Sequence, residues 1–489
     1  MLNLWPWPRG RGAVAAGTAA PGASLWTTGG WKPFTTPDRR ILLLSIAMQL
    51  GLALLFGHSY DTRVFMTAGY LVGTGHNPYM PQDLTAVFHH ISFNARSTVG
   101  YPPPWPLVLG VLYRGTYALV PNLLFYNLAI KIPVVVANIC LAYLVAAVLK
   151  NRGAQPSVCR KAWIFLLLNP FLLYFGAAWG QIDAIAALIA LAALVLLQAR
   201  RSAGSAVLLA LAVCFKPIAA PILLVVLVYL LGRSRGRAAR YVAVFVAAVF
   251  VFYLLPFLAL GWSLPAARLV NAHFVMSGSM SFMAVVRLVR DSVLLPGHWW
   301  LLGLAWVPAL ATATVLALRR GVGDFDDLVK KSAALVLVSF LTRTWLAEPD
   351  VTLVLVLVLI AVSLGKLNRR ALTAIWVIPL VFTVFNASPL RLLWVTFPEA
   401  MQRSLSFVGQ QHGLAMVIGR AVMVIAWQVA GWWIVVGCFR RGPAAARGTE
   451  PSWGGAAPDP ARIEMGSSRA TVSPATQNRP AADSLVPWS

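Results

Sequence analysis

Read along the chain, apolar residues gather in long runs separated by short polar stretches. The clearest runs are 41–57, 123–149, 162–178, 182–199, 238–260, 299–318, 331–347, 351–365, 371–387 and 412–437. About 20 apolar residues cross a hydrocarbon core. Lipid offers no partner for an open backbone N–H or C=O, so each run predicts a helix. The stretch 204–231 is longer than one ordinary span and is interrupted at Lys216-Pro217. Proline cannot donate a helix hydrogen bond and clashes with the preceding turn. Two short segments, 204–214 and 218–231, are therefore expected to meet at that break.

Composition strengthens this picture. Hydrophobic residues make up 59% of the 489 positions, charged residues only 11%, and the mean hydropathy is +0.73. A soluble domain carries about 25% charged residues, so the reading is an all-α, polytopic membrane protein. A net charge of +25 would suggest nucleic acid in a soluble chain. Here the basic residues sit mostly in short loops between apolar runs, as cytoplasmic loops of membrane proteins do, and no nucleic-acid partner is expected. Cys140, Cys159, Cys214 and Cys438 lie in or beside apolar segments without metal-ligand spacing and read as small hydrophobes. The termini, 1–40 and 439–489, lack apolar periodicity and read as disordered cytoplasmic tails flanking a membrane domain over 41–438. The amino terminus has no short apolar core ending in a cleavage site, so it does not read as a cleaved signal peptide.

Charge also orients the spans. With a cytoplasmic amino terminus, the inside segments hold the basic clusters at 150–161, 200–201, 233–240, 319–331, 366–370 and 440–441. This works only if 105–121 does not cross. That segment is apolar but short, with Arg114 in its middle and proline near both ends, which suits a helix lying in the interface. The expected topology has about twelve crossings, both termini inside, and a long first external loop over 58–121 containing interfacial helices. All seven histidines then fall outside or at the outer boundary. So do Asp61, Asp83, Asp183, Asp291, Glu348, Asp350 and Glu399, and no acid is stranded near a helix centre as an ion pathway would need.

Four constellations could carry chemistry. In HSYDTRVF, Asp61 at the membrane boundary reads either as a general base for an acceptor hydroxyl, with Arg63 nearby for phosphate charge, or as a solvated helix-end carboxylate. In NPFLLYFGAAWGQIDAI, Asn169-Pro170 breaks a span and Trp179-Gly180-Gln181 marks a tight outer turn. Asp183 then opens the next helix as a site residue, a cap or a hairpin ion pair. In CFKPIAAP, Lys216 at the break would grip a phosphate or pair with Asp183. In LTRTWLAEPD, Arg343 would bind phosphate bidentately or balance Glu348. No Walker loop, dinucleotide glycine fingerprint, HExxH or GxSxG occurs, which removes ATP-driven, dinucleotide and familiar hydrolase readings.

The ordered set DTRVF, GHNPY, YPPP, NP…WGQID, the KP break and TRTWLAEPD resembles the GT-C superfamily of integral membrane glycosyltransferases over roughly 40–390. Within it, the likeness is to GPI mannosyltransferase I and bacterial polyprenyl-phosphate-mannose-dependent mannosyltransferases. The resemblance implies a polyprenyl-phosphate sugar donor, most simply mannose, a lipid-linked or glycolipid acceptor, and inverting transfer at the outer face of the plasma membrane. It implies Asp61, the carboxylate of the first external loop, as the catalytic residue that acts as base or positions the acceptor. The same blocks supply a substrate-binding set, Arg63, Asn77, Tyr79, Tyr101, Gln181, Asp183, Lys216, Arg343 and Glu348, to which His273 is added as a further group for the phosphate charge. The GPI enzyme has an Asp-x-Asp pair where this chain reads Ser59-Tyr60-Asp61. With one carboxylate absent, metal dependence does not carry over, and no metal or cofactor is expected. The rival class is a transporter or flippase of a polyprenol-linked lipid or sugar, which would need polar residues along a path to both faces.

Overall fold

The computed structural model describes residues 35–89, 93, 99–263, 278–283, 297–386, 389–397 and 414–440. Helices dominate. The chain opens with α1 (Thr36–Leu55), α2 (Asp61–Gly73), a single turn α3 (Thr85–Phe88) and α4 (Pro104–Gly115). The long α5 (Leu123–Asn151) and α6 (Pro156–Leu168) follow, then a short α7 (Pro170–Leu172) running into a π turn, Leu173–Trp179. Next come α8 (Asp183–Gln198), α9 (Ser202–Phe215), α10 (Ala220–Leu231), and α11 (Arg235–Val249) joined through a second π turn to α12 (Leu255–Leu260). The last helices are α13 (Trp306–Arg320), α14 (Phe325–Thr342), α15 (Thr352–Ser363), α16 (Arg369–Asn386) and α17 (Leu414–Phe439). Among the described residues, six stretches are long and apolar enough to cross a membrane: Leu123–Asn151, Pro156–Trp179, Arg235–Leu260, Leu301–Arg320, Arg369–Asn386 and Val417–Phe439.

Both breaks fall where the sequence puts them. Lys216 leaves the helical region at φ −152°, ψ 118° and ends α9, while a short 3-10 turn, Pro217–Ala219, leads into α10. Asn169 is extended, and its side chain accepts from the Phe171 N–H to restart the helix. One boundary differs. Residues 36–40, expected in the amino-terminal tail, are the first turn of α1. The buried Asp38 accepts from Arg160 Nε at 2.6 Å, so a charged turn is held against α6 instead of ending the helix. The remainder of that tail, and nearly all of the carboxy-terminal one, lies outside the described residues.

The first loop is a packed layer. Nine residues of α2 are buried, and α2 lies against α4 over its length. Gly110 makes this approach possible, because a Cβ there would sit 2.4 Å from Val72 Cγ1. Arg114, the charge that argued against a crossing, donates Nε to the Gly73 carbonyl at 2.6 Å and so caps α2. With 12 residues, α4 is about 18 Å long, short of the hydrocarbon thickness.

Two apolar cores meet near the Gly180-Gln181 turn. The larger contains Trp179 and joins α5, α6, α8, α9, α10 and α14 to α17, with α15 buried almost throughout. The smaller gathers the aromatic residues of the first loop around Phe65, Trp105 and Tyr126, and includes Ile182. Ion pairs Arg152–Asp326 and Lys366–Asp326, with Arg233 donating to the Gly323 carbonyl, bring several of the basic segments to one end of the bundle. At the other end, β1 (Gly278–Ser279) pairs in parallel with β2 (Trp345–Leu346).

Candidate active site

Asp61 is delivered by the turn between α1 and α2. The Asn127 side chain, reaching from α5, donates to the carbonyls of Ala53, Leu54 and Phe56 at 2.7, 3.1 and 2.9 Å and so closes the end of α1. The following residues are pinned from a second side, with Gly57 N–H donating to Leu392 O and Ser59 N–H to Arg391 O. Asp61 then begins α2, where the positive end of the helix dipole favours a carboxylate.

Trp179 approaches from across the chain. The π turn widens the helix by one residue per turn, a feature frequent at functional sites. It presents Trp179 Nε1 to Asp61 Oδ2 at 2.6 Å. The His58 ring stacks on the Trp179 ring, 3.9 Å between centroids and 15° between planes, and its Nδ1 reaches the same Oδ2 at 3.0 Å. Nδ1 also lies 3.4 Å from the Asp61 backbone N–H, but one ring nitrogen cannot serve both, and the shorter contact to a carboxylate is the stronger. Both side-chain partners therefore converge on Oδ2, and among the described residues no hydrogen bond or ion pair engages Oδ1, in a side chain that is 20% exposed. Burial pushes the Asp61 carboxyl up. His58, the Trp179 N–H and the charge of Lys216 together outweigh it and hold the group below the usual carboxylate range.

Lys216 is not a free ammonium. Its Nζ lies 2.6 Å from Asp183 Oδ1 at the start of α8, and 2.7 Å from Asp350 Oδ1 in the 3-10 turn before α15. The Asp183 contact has hydrogen-bond geometry, whereas the Asp350 contact is an ion pair without it. The pairing that stood as the alternative for Lys216 is thus present, with a second carboxylate added.

Tyr101 joins the two groups. Its hydroxyl donates to Gln181 Oε1 at 2.9 Å, and its ring face lies 5.9 Å from Lys216 Nζ. Burial holds its phenol far above the ordinary range, and it also feels the charges of Lys216, Asp61, Asp183 and Asp350. Tyr79 fixes it from behind, donating its hydroxyl to the Tyr101 carbonyl at 2.9 Å while stacking on Phe257. Asn77 accepts from the Tyr79 N–H and donates to Ser263, tying this loop to the end of α12. Asn77 and Tyr79 therefore act as supports for Tyr101.

The remaining expected residues divide. Arg63 is two residues from Asp61 on one helix, so the two side chains do not face each other, and its guanidinium lies 5.8 Å from the Tyr60 ring centre. Arg343 ends α14 and lies within the influence of Asp350. Glu348 accepts from Asn386 at 3.1 Å and bonds Ser279; burial outweighs these contacts and pushes its carboxyl up to about 7. His273 lies outside the described residues. Sequence reasoning passed over His58, Trp179 and Asp350 as participants, although each lies in a motif it had singled out. Among the described residues, no group of three or more His, Cys, Asp or Glu side chains is arranged to hold a metal ion.

No family model matches the sequence, and no curated protein matches it. Among solved structures, the chain is similar to ArnT from Cupriavidus metallidurans bound to undecaprenyl phosphate. The TM-score is 0.46 at 15% sequence identity, over 82% of this chain and 76% of that one.

Proposed function

We propose that the protein is an integral membrane glycosyltransferase of the GT-C type. In this reading it moves a sugar, most simply mannose, from a polyprenyl phosphate to a lipid-linked glycan or glycolipid on the extracytoplasmic side of the plasma membrane. The observation that carries the proposal is the Asp61 carboxylate. One oxygen is locked by Trp179 and His58, the other has no hydrogen bond or ion pair among the described residues, and the carboxylate's environment keeps it ionised. A fixed, ionised carboxylate at a boundary where lipid-borne substrates arrive suits a general base.

The chemistry then runs in one displacement. Asp61 Oδ1 takes the acceptor hydroxyl proton as that oxygen attacks the sugar C1 from the face opposite the departing phosphate. The C1–O bond to the phosphate breaks, the phosphate leaves as an anion on its polyprenol, and the anomeric configuration inverts. Lys216 stands between two carboxylates and contributes by organising Asp183, Asp350 and the Tyr101 face. Phosphate charge falls in this reading to the arginines, Arg63 and Arg343, with His273 as a further candidate. Gln181, held by Tyr101, and Glu348 are the polar groups left to orient sugar hydroxyls.

Membranes containing the protein, incubated with radiolabelled polyprenyl-phosphate mannose and native lipid extract, are expected to move label into a larger glycolipid. Asp61→Asn should lower that transfer by about 10²–10⁴-fold at normal expression. Near-wild-type transfer by the variant would remove Asp61 from the role. Label that changes leaflet without joining a larger glycolipid would point to a flippase instead.

A further inference from the structure

A second buried lysine stands behind the site. Lys131 is the lone charged residue of the apolar run 123–149 and is 1% exposed within α5. A charge inside a membrane helix is costly and is kept where it has partners. Among the described residues no carboxylate pairs with it. Its Nζ instead donates to the Ala178 carbonyl at 2.8 Å and to the Phe56 carbonyl, with the Ala53 carbonyl at 3.5 Å. These oxygens belong to the ends of α1 and of the π turn, where carbonyls carry partial negative charge; those of Ala53 and Phe56 also accept from Asn127, so Lys131 shares the α1 end with that amide and alone reaches Ala178. One lysine side chain therefore bridges two helix C-termini.

What leaves those termini gives the bridge its meaning. Two residues beyond Phe56 is His58, and directly beyond Ala178 is Trp179, the two groups that meet on Asp61 Oδ2. Gly180 confirms how closely the lysine passes: its φ is +96°, and a Cβ there would lie 2.9 Å from Lys131 Cε. We propose that Lys131 is a positioning residue that ties the end of α1 to the end of the π turn, holding His58 and Trp179 in register on Asp61. This deepens the assignment of Asp61 as base and rests on it for any effect on transfer, although the bridge itself does not.

The test reads Asp61 directly. A hydrophobic carbodiimide modifies protonated carboxyls, so the pH at which Asp61 is half-modified, followed by peptide mass spectrometry on the detergent-solubilised full chain, reports its ionisation without any substrate. The groups acting on Asp61 are His58 on the preceding turn, Trp179 from the π turn, Lys216 at the α9–α10 break and Tyr101 from the first loop, and all keep their identity in the Lys131 variants. Lys131→Met is expected to move the midpoint upward by about one pH unit or more, as Trp179→Phe does, since each weakens stabilisation of the carboxylate. Lys131→Gln, which can still bond one carbonyl, should fall between Lys131→Met and wild type; it is read by the same criterion if Lys131→Met does not fold. A midpoint equal to wild type in a monodisperse variant overturns the proposal. A shifted midpoint combined with full transfer by Asp61→Asn leaves Lys131 as a positioning residue and overturns the assignment of the base.

Discussion

Asp350, in the turn before α15, lies 2.7 Å from Lys216 at the break between α9 and α10, opposite the Asp183 contact at 2.6 Å. Removing the cation would leave two buried carboxylates facing each other. Lys216→Met is expected to destabilise the protein by about 3–5 kcal/mol, because an uncompensated buried charge costs more than the pair gains. Replacing all three with neutral residues (Asp183→Asn, Lys216→Met, Asp350→Asn) should recover much of that loss. Thermal unfolding in detergent measures both, and a triple variant no more stable than Lys216→Met would contradict the account.

Trp179→Phe keeps an aromatic face against His58 but removes the N–H donor to Asp61 Oδ2. The sign follows from the lowered pKa of Asp61. The active, ionised form is present above the folded-state pKa and is lost as pH falls through it. Losing a stabilising hydrogen bond raises that pKa, so the acid limb of the transfer rate should move to higher pH by about one unit. An unmoved limb with unchanged substrate saturation would dissociate Trp179 from the base.

Glu348 gives an opposite dependence. Its carboxyl is raised in the folded protein to about 7 from an ordinary 4.5. The folded state therefore holds its proton more tightly, and stability is fullest below the unfolded value and declines as pH rises through the folded one. The span corresponds to a loss on the order of 3 kcal/mol at most. Melting temperature should fall between pH 5 and pH 8 in the wild type, and Glu348→Gln should flatten that slope.

Gly110→Ala tests the packing that carries the first loop. Its Cβ would press on Val72 at 2.4 Å, so α4 must separate from α2. Overpacking of this kind costs about 1–3 kcal/mol. Protease sensitivity within 58–121 should rise ahead of that elsewhere in the chain; uniform sensitivity would mean that the layer does not open independently.

Local chemistry made part of this legible in the sequence. Proline fixes both helix breaks and Gly180 supplies the left-handed turn, while the segment read as 105–121 forms a 12-residue helix with Arg114 in its last turn instead of its middle. Tertiary partners were harder to read. At the start of α1, Asp38 accepts from both Thr35 and Arg160, and the second pairing is one that hydropathy does not register. Asp350 looked like a boundary acid until the fold carried it to Lys216. Lys131, the lone charge of its apolar run, went unread, because its acceptors are backbone carbonyls, which leave no side-chain pattern to recognise.

The Lys216 cluster also bears on how the chain enters the bilayer. Asp183 and Lys216 belong to neighbouring segments and can insert as a neutral hairpin. Asp350 emerges from the ribosome only after α9 to α14 have been made. Until then the cation has a single counter-ion, and when Asp350 docks the cluster gains one negative charge. Nascent chains ending before α15 should thus hold the α9–α10 break in a different electrostatic state from the finished protein, making the arrival of α15 the step at which this part of the site takes its mature charge.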